Sequence, residues 1–235
     1  MERIDFIKEA IFLSGMSSED VIRELAHDVS KEFLQNLAEP HQNENSMELL
    51  TAETREVEVG MFYYNKDKTF SKELIKGKHP SGVVCYVDKT GHHGLILALR
   101  EKRLPWSSEK LWIDNMPEGL SGKENTSLII KASQTQRKKA EAAEYCANYA
   151  YDGIKAGEAF LPSKEELEKS CPNKFAIKNS LKQIKKAQQL GEGFYWSSSP
   201  NTTADNHVWQ QSFDDGRIFY FTNFTCDFVR PMLAF

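Results

Sequence analysis

Close to the C-terminus two runs of strand-forming residues, VWQQSF and RIFYFT, flank Asp-Asp-Gly. Asp215-Gly216 is a strong hairpin signal, because glycine takes the positive φ that a tight link between antiparallel strands demands. An antiparallel ribbon is therefore fixed at this end of the chain. FYWSSS precedes it across the polar loop PNTTADNH, and DFVRPMLAF follows. Upstream, VEVGMFYY is strand-like, and GVVCYVDKTGHHGLILAL reads as two strands, Val83 to Val87 and Leu95 to Leu99, around a turn. Between these blocks the period becomes helical. LIIKASQTQRKKAEAAEYCANYAYD reads as one helix, with Ala140, Ala143, Ala147 and Ala150 on one side. Ser163 with Glu166 forms a capping box behind Pro162, and KFAIKNSLKQIKKAQQLG reads as a helix closed by Gly191. Strands, then helices, then antiparallel strands specify an α+β fold.

The first part of the chain is different. Residues 2–38 carry two helical patterns separated by Gly15. In the second, Val21, Leu25, Val29, Phe33 and Leu37 form a broad apolar stripe. Such a stripe packs on its own domain or pairs chains into a homo-oligomer. The polar stretch from Glu39 to Glu56 reads as a linker. The division expected is a helical segment with linker over 1–50 and a second domain over 51–235.

A formal net charge of −4, with Lys and Arg spread along the chain, excludes the concentrated basic footprint of a nucleic-acid surface. MERIDFIKEAIFLSGMSSED lacks a basic start and is interrupted by acids, so it is neither a signal peptide nor a membrane span. That leaves the chain inside the cell, on a phage-like particle, or exported with its leader removed. The four cysteines show no CxxC spacing. They read as reduced, mostly buried thiols, although two disulfides in three connectivities are also open. His92 and His93 share a Gly-flanked turn with no third ligand nearby.

SGVVCYVDKTGHHGLILAL, AAEYCANYA, AFLPSKEEL, FYWSSS, VWQQSFDDG and FVRPMLAF occur in one order. The set resembles the bacterial Lcl C-terminal-like family of domains, over roughly Val57 to Phe235. The resemblance implies a C-type lectin-like fold: two helices, a small twisted antiparallel sheet and long loops. Trp196, Trp209, Phe213, Leu161 and Leu167 are then core positions, and Arg230 is a structural partner of the terminal strand. A subset of such domains are targets of diversity-generating retroelements. These randomise the first two bases of adenine-rich codons, so Met, Trp, Gln, Lys and Glu cannot appear at the rewritten positions. Arg217 through Arg230 contains none of those five types.

This reading makes the chain a non-enzymatic binding protein for a protein or glycan ligand. The expected binding face takes Asn201, Thr203, Asp205 and His207 from the loop. From the strands it takes Gln210, Ser212, Phe219, Phe221, Asn223, Phe224, Thr225 and Asp227. Aromatics bring contact area at low entropy cost, and Thr, Asn and Ser adapt their hydrogen bonds. The competing reading is a structural subunit of a phage-like particle or surface structure, oligomerising through 2–38. Enzymatic readings find little purchase. Cys226 has no partner near in sequence for formylglycine-type chemistry, and neither GxSxG nor HExxH occurs. Glu-Pro-Asn, Gln-Pro-Asp and Trp-Asn-Asp are absent too, so no metal and no cofactor are expected.

Overall fold

The computed structural model describes residues 57–111, 113, 116–117, 119–201 and 206–235. The chain divides into two units, Met1–Arg55 and Glu56–Phe235; the architecture below is that of the second. The helices expected over 2–38 lie outside the described residues.

Two five-stranded sheets carry the unit. In the first, β1 (Phe62–Tyr64), β2 (Thr69–Ser71), β3 (Gly82–Val87), β4 (Gly94–Ala98) and β10 (Met232–Ala234) run in the order β10-β4-β3-β1-β2. Every pairing is antiparallel. Val83, Cys85, Leu95 and Leu97 enter one core with Phe62 and Tyr64. Val84, Ile96 and Ala98 enter another with Met61 and Tyr63. Both faces are covered, which is why GVVCYV and GLILA read as near-continuous apolar runs.

The second sheet contains β5 (Lys102–Pro105), β6 (Phe194–Pro200), β7 (His207–Ser212), β8 (Ile218–Thr222) and β9 (Cys226–Val229), in the order β5-β9-β6-β7-β8. It is antiparallel except where β6 meets β9, at Tyr195 and Phe228. The β7–β8 hairpin turns at Gly216, φ 77°. This is the α+β architecture that the element order specifies.

Four helices separate the strand blocks: α1 (Gly122–Gln136), α2 (Glu141–Ala147), α3 (Lys164–Ser170) and α4 (Lys174–Gln183), the last two joined by a 3-10 turn over Cys171–Asn173. The Ser163–Glu166 capping box is formed as expected. A second box, Ser121 with Glu124, starts α1 inside a stretch that reads as loop.

Two helical expectations are corrected. The single helix through Ala140 is two, because Arg137 turns left-handed at φ 54°. The amides of Arg137 and Lys138 close the first helix on the carbonyls of Gln134 and Ser133. The helix expected to reach Gly191 ends at Gln183, and Ile184 is extended. Gly191 serves a different purpose there: a Cβ on it would overlap the Phe228 ring.

Trp196, Leu161, Leu167 and Phe213 are buried in the cores. The Arg230 guanidinium is buried as well. It donates to Ala98 O at 2.8 Å, to the Glu101 carboxylate at 2.8 Å and to Gln188 O at 2.8 Å. The Tyr195 hydroxyl donates to the same carboxylate at 2.8 Å. Burial, and then the Glu101 charge, push the Tyr195 phenol well above its ordinary value. This knot ties the ends of both sheets to the loop after α4.

Candidate functional site

Cross-strand register sets one face of the second sheet. Gln210 pairs with Trp196 and Phe219, and Val208 pairs with Phe221. Directly paired residues point the same way, so Gln210, Phe219 and Phe221 share a face while Trp209 and Tyr220 take the other. On the Gln210 face lies a pocket of about 510 Å³, lined by Arg103, Phe194, Gln210, Arg217, Phe219, Phe221, Thr225, Cys226 and Asp227. Five of the residues expected from sequence meet here: Gln210, Phe219, Phe221, Thr225 and Asp227.

The aromatic part is built by Phe194, Phe219 and Phe221. Phe219 stands with its centroid 6.4 Å from each of the other two rings. The polar part centres on Asp227. Its carboxylate accepts from Gln210 Nε2 at 2.8 Å and lies 3.8 Å from the Arg103 guanidinium. Arg103 also donates to Cys226 O at 2.9 Å and covers the Phe228 ring at 5.3 Å. Arg217 is held by Asp215 at 2.7 Å across the hairpin turn. Both arginines are largely exposed, so these pairs orient side chains more than they stabilise the fold. The surface combines an apolar floor with cationic and amide donors at its margin, a chemistry suited to recognition.

The remaining predicted residues are placed elsewhere. Ser212 is buried rather than displayed. Its hydroxyl accepts from the amides of Asp214 and Asp215, which makes it part of the hairpin turn. Asn223 is buried too, at 1% exposure, and its backbone bonds Ser107 and Asn206. Phe224 is 48% exposed but stands outside the pocket. His207 opens β7 on the Trp209 face and meets Tyr220 edge-on at 5.6 Å. Thr203 and Asp205 lie outside the described residues.

Asn201 is buried and lines a second pocket of about 590 Å³, with Asn125, Lys164, Glu165, Ser199 and Trp209 among its walls. Trp209 is therefore not core. Phe213 enters the interior beneath α3 and α4, whereas Trp209 lies at the first turn of α3 and is half-buried, with Lys164 over its ring at 4.8 Å.

The four cysteines are free, and three of them, Cys85, Cys146 and Cys171, are buried while Cys226 is exposed, in line with reduced, mostly buried thiols. Burial pushes the Cys85 thiol up to about 12 and raises Cys146 and Cys171 as well, which makes all three poor nucleophiles. Among the described residues no group of three His, Cys, Asp or Glu side chains is arranged to hold a metal ion. Among the same residues, no helix is long and apolar enough to cross a membrane.

Arg103, Phe194, Arg217 and Cys226 were not anticipated. Arg103 comes from β5, whose KRLP carries no alternation that would mark a strand. Phe194 opens β6 and is visible in sequence only as the start of FYWSSS.

No protein-family model matches the chain, and no curated protein does. Among solved structures, the crystal structure of a fimbrial protein from Bacteroides ovatus ATCC 8483 is similar, with a TM-score of 0.59 and 14% identity. The match covers 76% of this chain and 49% of that one, so the chain spans about half the length of that protein. At this identity the likeness concerns the fold alone.

Proposed function

We propose that the chain is a non-enzymatic ligand-binding protein. Its last strands would display a recognition face on a C-type lectin-like scaffold of the Lcl C-terminal-like type. The observation that carries this reading is the convergence of Gln210, Phe219, Phe221, Thr225 and Asp227 on one open pocket. Phe219 and Phe221, 51% and 44% exposed, present apolar area that the cores do not use. Retroelement diversification is the more specific form of the proposal. It is supported by the absence of Met, Trp, Gln, Lys and Glu from Arg217 through Arg230. A neighbouring reverse-transcriptase gene, with a near-copy of the 3′ end differing only at adenines, would carry that form.

The binding test uses arrays of immobilised glycans and of surface proteins. The intact chain should retain a binder that the combined Phe221→Ala, Phe224→Ala and Thr225→Ala variant loses, with the unfolding midpoint unchanged. A variant that binds as well as the parent, or one that unfolds, overturns the reading.

A second reading is an assembly subunit of a surface structure or phage-like particle, joined through residues 2–38. The fimbrial neighbour favours it. Light scattering on the intact chain and on one starting at Val57 checks it: loss of the N-terminal residues should lower the mass state.

A further inference from the structure

Among the described residues, strand β8 is the outermost strand of its sheet and pairs only with β7. The Ser212 amide donates to Arg217 O, and the Asn223 amide to Asn206 O. These two bonds fix the phase of the ladder. Arg217, Phe219, Phe221 and Asn223 turn their backbone groups toward β7, while Ile218, Tyr220 and Thr222 turn theirs outward. Thr222 O is taken by the Thr225 amide and hydroxyl. The outward N–H and C=O groups of Ile218 and Tyr220 have no partner among the described residues.

Exposed edges are ordinarily blunted by Lys, Pro or a bulge. Ile218–Thr222 has none of these. Instead Ile218, Phe219, Tyr220 and Phe221 are each between 39% and 51% exposed. The edge therefore offers a strand's hydrogen bonds and a strand's apolar pairing partners together.

We propose that β8 pairs with β8 of a second copy of this chain, antiparallel, about a two-fold axis normal to the sheet and midway between the two Tyr220 residues. The sequence around Tyr220 favours a copy of itself. Outward residues must face outward residues, which restricts the axis to a whole residue position. Centring on Tyr220 sets Tyr220 against Tyr220 and Ile218 against Thr222. It sets Phe219 against Phe221 twice, the aromatic cross-strand pairing that stabilises sheets. Arg217 falls opposite the neutral Asn223, so no like charges meet. Centring one residue earlier would place Arg217 opposite Phe221 instead.

The axis normal to the sheet keeps both Gln210 faces on one side. Two five-stranded sheets then join edge to edge, and each copy adds its own Phe219 and Phe221 beside the other's pocket. That the joined face offers two ligand pockets rests on the binding reading above; the pairing itself does not.

The test is the mass of the full chain by light scattering over a range of concentrations, with amide hydrogen exchange at Tyr220 and Thr222, whose outward N–H groups meet the free carbonyls of Tyr220 and Ile218 across the pair. The mass should rise from one copy to two, and both amides should slow at least tenfold as it does. Tyr220→Pro removes an outward N–H and none that bonds β7, a placement that edge strands tolerate. This variant should lose the concentration dependence while keeping ligand retention on the arrays. A mass state that Tyr220→Pro leaves unchanged overturns the proposal. So do amides that exchange at one rate at every concentration in the parent chain, or that slow only when a foreign protein is added. Because the exchange experiment uses the unaltered chain, a misfolded variant would not obscure the outcome.

Discussion

Arg230 shows how a single side chain can hold distant segments in register. Its guanidinium and the Glu101 carboxylate are almost wholly buried, and the pair is satisfied by the carbonyls of Ala98 and Gln188 and by the Tyr195 hydroxyl. Removing one partner of such a pair strands the other charge in a dry site, at a cost of about 3–5 kcal/mol. Arg230→Ala should therefore lose that much in urea unfolding, whereas Arg217→Ala, at the exposed hairpin, should change stability by no more than about 0.5 kcal/mol. Asp152 makes a second residue-scale case. Burial alone would raise its carboxyl, but hydrogen bonds from Arg100 and His79 outweigh burial and hold it below the usual carboxylate value. Its folded value thus lies below its unfolded one. The contribution is present above the unfolded value of about 4 and is lost as pH falls through the lowered folded value. Thermal melts from pH 7 downward should show that acid limb shallower in Asp152→Asn, a replacement that tolerates the left-handed φ of 54° at this position.

At the scale of elements, Glu166 links two helix starts. Its carboxylate accepts from the Ser163 amide at 2.8 Å, completing the box that begins α3, and from the Gly122 amide at 3.2 Å at the start of α1. Glu166→Ala should cost about 1–2 kcal/mol in thermal unfolding, and Glu166→Gln, which keeps an acceptor, should cost less. The half of this arrangement that is local was legible in the sequence: Ser163 and Glu166 stand three apart behind a proline. The half that crosses between helices was not, because nothing near Gly122 in sequence names Glu166. The same division explains the helix breaks. Arg137 has no residue-type signature of a left-handed turn, and the end of α4 is set by tertiary contacts. Ile184 and Leu190 are buried, and the Gln188 amide bonds Leu99 O.

At the scale of the molecule, the candidate site gathers side chains from five strands. Of those between Gln210 and Asp227, the hairpin and the aromatic run point to Gln210, Phe219, Phe221, Thr225 and Asp227 but not to Arg217 or Cys226. Arg103 and Phe194 arrive through the β5–β9 and β6–β7 pairings, which no local pattern announces. Ser212 and Asn223 look like display residues by type, yet the backbone around them consumes them. Exposed and core aromatics should separate cleanly on substitution. Phe219→Ser with Phe221→Ser should leave the urea midpoint nearly unchanged, while Trp196→Ala, fully buried beside α1 and α2, should cost about 3–5 kcal/mol. The position of β10 has a further consequence. Val229, Arg230, Met232 and Leu233 lie beyond the open strand, and all four are sealed in the interior. A polypeptide cut short by a stop codon within β8 lacks every one of them and forfeits the last strand of the first sheet. Chains that stop there cannot complete either interior, so folding itself would screen out such products, whatever residues the open strand carries.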